Sequence, residues 1–203
     1  MKKLWIASCC FLSALAFTAC DNKSSEANEE QSSTEVTTED TTGTAVAAPT
    51  DTTLTEDKKE LMTFAANAGM LQMELGKLAV EKGSSDQVRQ YGQRMVDIYT
   101  TRQKELQELA KQYRVTLPQT MENDQMERVQ ELRDTDPEKF DKAYWDTVVD
   151  AHQEAVKEYD DKLKDVKEAT ASGFTLWARN NLKEMRAQME EAMRFRLDMR
   201  NRT

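Results

Sequence analysis

Three cysteines, one histidine, six glycines and three prolines are all that 203 residues hold of these types. Each scarcity excludes something. Cys9 and Cys10 lie in an N-terminal apolar run that processing would remove, so only Cys20 remains and no disulfide can close within one chain. There is no glycine-rich phosphate loop and no nucleophile elbow, the usual marks of nucleotide binding and acyl transfer. So few turn-forming residues favour long, uninterrupted elements. The longest apolar run, Leu4 to Phe17, is too short to cross a bilayer as a helix. Basic residues are also short, 28 against 37 acidic ones, and that balance argues against nucleic acid as a partner.

What is there begins with an address. Lys2 and Lys3, the apolar run, and then Thr18-Ala19-Cys20 follow the charged, apolar, small-residue order of a secretory signal. Phe17-Thr18-Ala19-Cys20 resembles the bacterial lipobox, with phenylalanine where leucine is usual. Residues 1–19 are therefore expected to be a lipoprotein signal peptide and Cys20 the lipidated residue, held to a membrane by acyl chains. Removing Lys2 and Lys3 with the signal takes the net charge from −9 to −11. Residues 20–55 are expected to be an acidic, disordered linker. From Asp21 to Thr55 there are fourteen Ser or Thr, eight acids, one lysine and no aromatic residue, too little apolar surface to offset the entropy of ordering.

Residues 56–203 are helical in pattern throughout and long enough for one domain with a substantial core. Helix A is predicted from about Glu56 to Lys82, with Thr55 as N-cap and Leu61, Phe64, Ala68, Leu71, Leu75 and Leu78 on its inner face. Helix B follows a capping box at Ser84 and runs to about Tyr113, with Arg102 inside its apolar register. A short helix C spans Met121 to Arg133. Asp136-Pro137 restarts the chain as helix D, predicted to reach about Thr170, and helix E carries the C-terminus after Ser172-Gly173. Helix D holds His152 in an apolar stripe with Trp145, Val149, Val156, Tyr159, Leu163 and Val166. Two tight connections flank one long one, which is the ferritin-like order of a four-helix bundle rather than simple up-down-up-down. The fold class expected is all-α, with a long crossover containing the short helix.

Phe64, Ala68 and Glu74 in helix A, Arg94-Met95-Val96 in helix B, and Phe140-Asp141, Tyr144 and His152 in helix D resemble, in order and spacing, a bacterial exported family. That family is domain of unknown function 4142, described as predicted outer-membrane proteins with a ferritin-like bundle. The resemblance implies an inward polar cluster to which Glu74 and His152 correspond. Ile98-Tyr99 stand where the family carries Asp-His, and Gln188 where it carries histidine.

A di-iron carboxylate bundle needs two Glu-x-x-His motifs, and a chain with one histidine, preceded at that spacing by Val149, supplies neither. Glu74 and His152 are the candidate metal ligands of that inward cluster, and no cofactor is expected, a metal ion being the lesser alternative. The eleven methionines read mostly as flexible packing, with Met70, Met73, Met185, Met189 and Met193 as the set that soft-metal binding would use. The candidate cluster is instead structural: Glu74, Tyr99, Arg102, His152 and Gln188, with Arg102 expected to offset Glu74. Arg194, Arg196, Arg200 and Arg202 make a basic C-terminal end suited to the helix dipole, or to anionic lipid or glycan. The function expected is that of a membrane-tethered cell-envelope lipoprotein, periplasmic or surface-facing. Its non-catalytic bundle would bind or scaffold an envelope protein or glycan, with stress as one setting. The alternative is a ferritin-like metal-binding or redox protein with a degenerate site.

Overall fold

The computed structural model describes residues 54–164 and 172–202. The signal segment, Cys20 and most of the linker therefore lie outside the described residues. Five helices follow in order: α1 (Glu56–Lys82), α2 (Asp86–Tyr113), α3 (Asn123–Arg133), α4 (Pro137–Leu163) and α5 (Gly173–Arg202). No strand occurs among the described residues. The stretch of helix D expected beyond Lys164, including Val166, lies outside them.

The cap signals act locally, with two differences from the sequence reading. The N-cap of α2 is Ser85 rather than Ser84, and its hydroxyl accepts from Val88 N–H at 3.3 Å. The other free amides at that end go to α4: Ser84 and Ser85 N–H donate to the two Asp141 oxygens at 2.8 and 2.9 Å. An acid from a neighbouring helix thus does the work expected of a capping-box residue. Helix α2 ends on Arg114 in the left-handed conformation, φ 56°. Pro137 opens α4 at its first turn, and the Ser172 hydroxyl accepts from Thr175 N–H at 3.2 Å to start α5.

Side-chain pairs set the directions. Lys162 meets Asp57 and Glu60, whereas Lys82 at the other end of α1 donates to the Thr135 carbonyl just before α4, so α1 and α4 are antiparallel. Arg94 with Glu191 and Trp177 with Glu105 make α2 antiparallel to α5, and Tyr159 with Asn181 and Asp146 with Arg200 do the same for α4 and α5. Helices α2 and α4 consequently run the same way, and the chain between them must travel the length of the bundle. Helix α3 lies on that crossover, tucks Val129 and Leu132 inward, and is fastened by a two-pronged Arg128–Glu154 pair at 2.9 Å. This is a four-helix bundle with the ferritin-like order of connections.

The tightest contact is between α1 and α2. A Cβ on Gly76 would stand 2.7 Å from the Gly92 carbonyl oxygen, so the two backbones touch where both side chains are missing. Small residues therefore face the core of α1: Ala65, Ala66, Gly69, Gly76 and Ala79 are buried, while Phe64 and Ala68 are only half-buried. Leu61, Leu71, Leu75 and Leu78 are buried as expected, so the inner face is the expected one widened toward the small residues, with Phe64 and Ala68 at its edge. The core itself falls into two apolar groups. One is centred on the Tyr91, Tyr144, Trp145 and Phe195 rings, and the other holds Leu61, Met62, Leu106, Tyr159, Phe174 and Met185.

Candidate functional site: a polar belt and the cleft beside it

Between the two apolar groups each long helix contributes a polar side chain: Gln72 from α1, Tyr99 and Arg102 from α2, His152 from α4 and Gln188 from α5, all buried. Periodicity puts them there, since each stands on its helix's inner face. His152 is fully enclosed, and its Nδ1–H donates to the Val148 carbonyl at 2.8 Å, one turn back on its own helix. The Gln72 carboxamide packs on that same nitrogen at 3.3 Å, and its Oε1 is buried without a hydrogen bond. On the ring's other side Nε2 lies 3.4 Å from Gln188 Oε1, which also accepts from the Tyr99 hydroxyl at 3.2 Å. Nε2 is where a second proton would sit. Burial holds that proton off and pushes His152 below the usual histidine range, against the pull of the Val148 and Gln188 oxygens. Burial likewise raises Tyr99 to about 12, with Arg102 acting the other way, so the phenol remains a donor.

Arg102 bridges belt and surface. Its guanidinium stacks on the Tyr99 ring, 4.9 Å from the centroid, and pairs with Glu184 of α5. The partner is not Glu74, which is half-buried and bound to Lys77 one turn on at 2.6 Å. The expected Glu74–Arg102 offset is thus replaced by an Arg102–Glu184 pair, and Glu74 does not join the belt. The pair is lopsided: the Arg102 side chain is 9% exposed and that of Glu184 63%. Gln72 and Glu184 are the members that sequence reasoning missed.

This set does not fit a metal. One imidazole nitrogen is committed to a main-chain carbonyl, the other faces a carboxamide and a protonated phenol, and a guanidinium stands one helical turn from Tyr99. Among the described residues no three His, Cys, Asp or Glu side chains gather as a metal centre would require.

Arg102 also floors a cleft of about 730 Å³ between α2 and α5, whose backbones do not pack closely. Asp97, Ile98 and Glu105 line it from α2, and Trp177, Asn181 and Glu184 from α5. The Trp177 indole N–H donates to Glu105 at 2.9 Å and its ring stacks on Phe174, so the wall is fixed in place. A volume of this size suits a small ligand, with an apolar wall and few oriented polar groups.

No helix among the described residues is long and apolar enough to cross a membrane. No curated protein and no solved structure matches the chain. One family model, described as a domain of unknown function, does match, over residues 43–195, a span that takes in α1 to α4 and most of α5. With more than half its length inside that match, the chain belongs to the DUF4142 family.

Proposed function

We propose that the chain is a lipid-anchored binding module of the cell envelope. Cys20 carries the acyl chains, the acidic Ser/Thr-rich segment is the tether, and the bundle holds the α2–α5 cleft out toward an envelope partner. The observation that carries the binding half is the cleft itself: a buried guanidinium is fixed at its floor, and its remaining polar groups are suited to recognition. The anchor half rests on the signal and Phe17-Thr18-Ala19-Cys20.

The test is acyl labelling in cells with fractionation. Wild type is expected to take up radiolabelled palmitate and pellet with membranes, whereas Cys20→Ser should lose the label and leave precursor or soluble protein. Normal processing and membrane retention of Cys20→Ser would sink the anchor. Protein purified without a histidine tag should contain no stoichiometric metal; one zinc or iron per chain would favour the metal-binding alternative instead.

A further inference from the structure

Arg102 and Asn181, both in the lining of the α2–α5 cleft, each carry a buried polar atom that the protein leaves without a partner. Arg102 Nη2 pairs with Glu184, but Nη1 is buried and bonds nothing. Asn181, 7% exposed, donates from Nδ2 to the Tyr159 hydroxyl at 2.8 Å, and its Oδ1 is also buried and unbonded. Leaving a buried donor of a charged group unsatisfied is costly, and such groups mark sites that something else completes. Glu184 gives Arg102 only one contact, from a side chain that stands mostly in water. Swinging it out alone would strand a buried guanidinium, but a ligand carboxylate arriving in its place restores the counter-charge and can take both Nη groups in the two-pronged geometry that guanidinium favours.

The rest of the cleft calls for the opposite charge. Asp97 and Glu105 line it from α2, and the hydrogen bonds they accept come from neutral donors, Gln93 and Trp177, both at 2.9 Å. With Arg102 already offset by Glu184, these two carboxylates leave the cleft negative. A simple anion would meet their repulsion, and a simple cation would make no use of Arg102. Both halves are satisfied by a ligand that carries both charges, with Ile98 and Trp177 as an apolar wall for its side chains.

We infer that the α2–α5 cleft binds an amino acid or short peptide with a free carboxylate and a free amino group. The carboxylate displaces Glu184 from Arg102, and the ammonium lies by Glu105, one helical turn from Arg102 on α2. This names the ligand class of the binding module proposed above and rests on that reading.

Calorimetric titration of the mature chain with alanylalanine, its N-acetyl form and its C-terminal amide tests both halves. The free dipeptide should bind saturably, and each capped form at least about tenfold more weakly. Glu184→Gln should tighten the free dipeptide several-fold, because the competing carboxylate is gone, whereas Glu105→Gln should weaken it by about tenfold. Glu184→Gln also leaves Arg102 unpaired, so its melting point is a second readout, expected to rise more with dipeptide than that of wild type. Absence of saturable binding to wild type and Glu184→Gln up to about 10 mM overturns the inference. So does equal binding of the amide, equal binding of the N-acetyl form, or weaker binding by Glu184→Gln. Failure here with Cys20-dependent palmitate labelling intact removes the ligand class and leaves the anchored module. Loss of that labelling removes the module's address whatever the titration gives.

Discussion

His152 is the only histidine, so between pH 5.5 and 7.5 its titration can be watched almost alone. In the unfolded chain it titrates near 6.5, and in the folded one burial pulls it lower. Between the two values the unfolded state holds the extra proton. Stability is therefore full above about 6.5 and is lost as pH falls through the folded value, by at most about 1.4 kcal/mol per pH unit. Urea midpoints should decline over that range in wild type and stay nearly flat in His152→Gln; parallel slopes would mean that another group titrates. The Arg102–Glu184 pair gives a second residue-scale expectation, because its two ends are so unequally buried. Arg102→Met leaves a carboxylate in water and should cost about 0–1 kcal/mol for the pair. Glu184→Ala leaves a guanidinium buried without its charge partner and should cost more, about 1.5–3 kcal/mol. Chemical denaturation of the two variants checks the order, and a larger loss in Arg102→Met would reverse the assignment.

At the scale of elements the α1–α2 contact makes a sharper claim than helix propensity. Alanine is favoured over glycine inside a helix by about 1 kcal/mol, yet a methyl at Gly76 would meet the Gly92 backbone, and overpacking of that kind costs about 1–3 kcal/mol. Gly76→Ala should therefore lower the melting point. At Gly69 the added methyl would meet the far end of the Gln103 side chain, which can move by giving up its hydrogen bond to the Ala66 carbonyl at 2.6 Å, so Gly69→Ala should cost less than Gly76→Ala. Equal effects at the two positions would argue that the helices are farther apart.

The same contact explains what the sequence could and could not reveal. Five helices, their near boundaries and the short-long-short connection order were legible, because the 3.6-residue pattern, Asp136-Pro137 and Ser172-Gly173 are local signals. Tyr99, Arg102 and His152 were legible as polar residues inside apolar stripes, and Gln188 through the family resemblance alone. Gln72 was not. A reading weighted by hydrophobicity finds Leu61, Leu71, Leu75 and Leu78, which are buried, but it passes over the small residues Ala65, Gly69 and Gly76 that the close α2 backbone admits, and Gln72 lies among them. Glu74 stays at the edge of that face, where it meets Lys77. Glu184 comes to Arg102 only when α2 and α5 meet, 82 residues apart in sequence.

For the whole molecule the belt divides one core into two, and its hydrogen bonding is incomplete at Gln72 Oε1. Replacing a set of buried polar partners together by apolar side chains of similar shape is often neutral or stabilising. The combination Gln72→Leu, Tyr99→Phe, His152→Leu and Gln188→Met should accordingly raise the urea midpoint, by a gain on the order of 1–3 kcal/mol. A fall would show the belt to be a net contributor.

The antiparallel pairings also place α1 and α5 in the same direction, so α1 begins at one end of the bundle and α5 finishes at the other, roughly 40 Å away at 1.5 Å per residue. A pull applied between those two points runs along the helix axes. It cannot peel one helix from its neighbours a turn at a time, as unzipping would. It must slide whole faces past each other, breaking the apolar contacts, the belt and the cross-helix ion pairs together. The bundle is in this respect a strut, stiffest along the line that joins its first helix to its last.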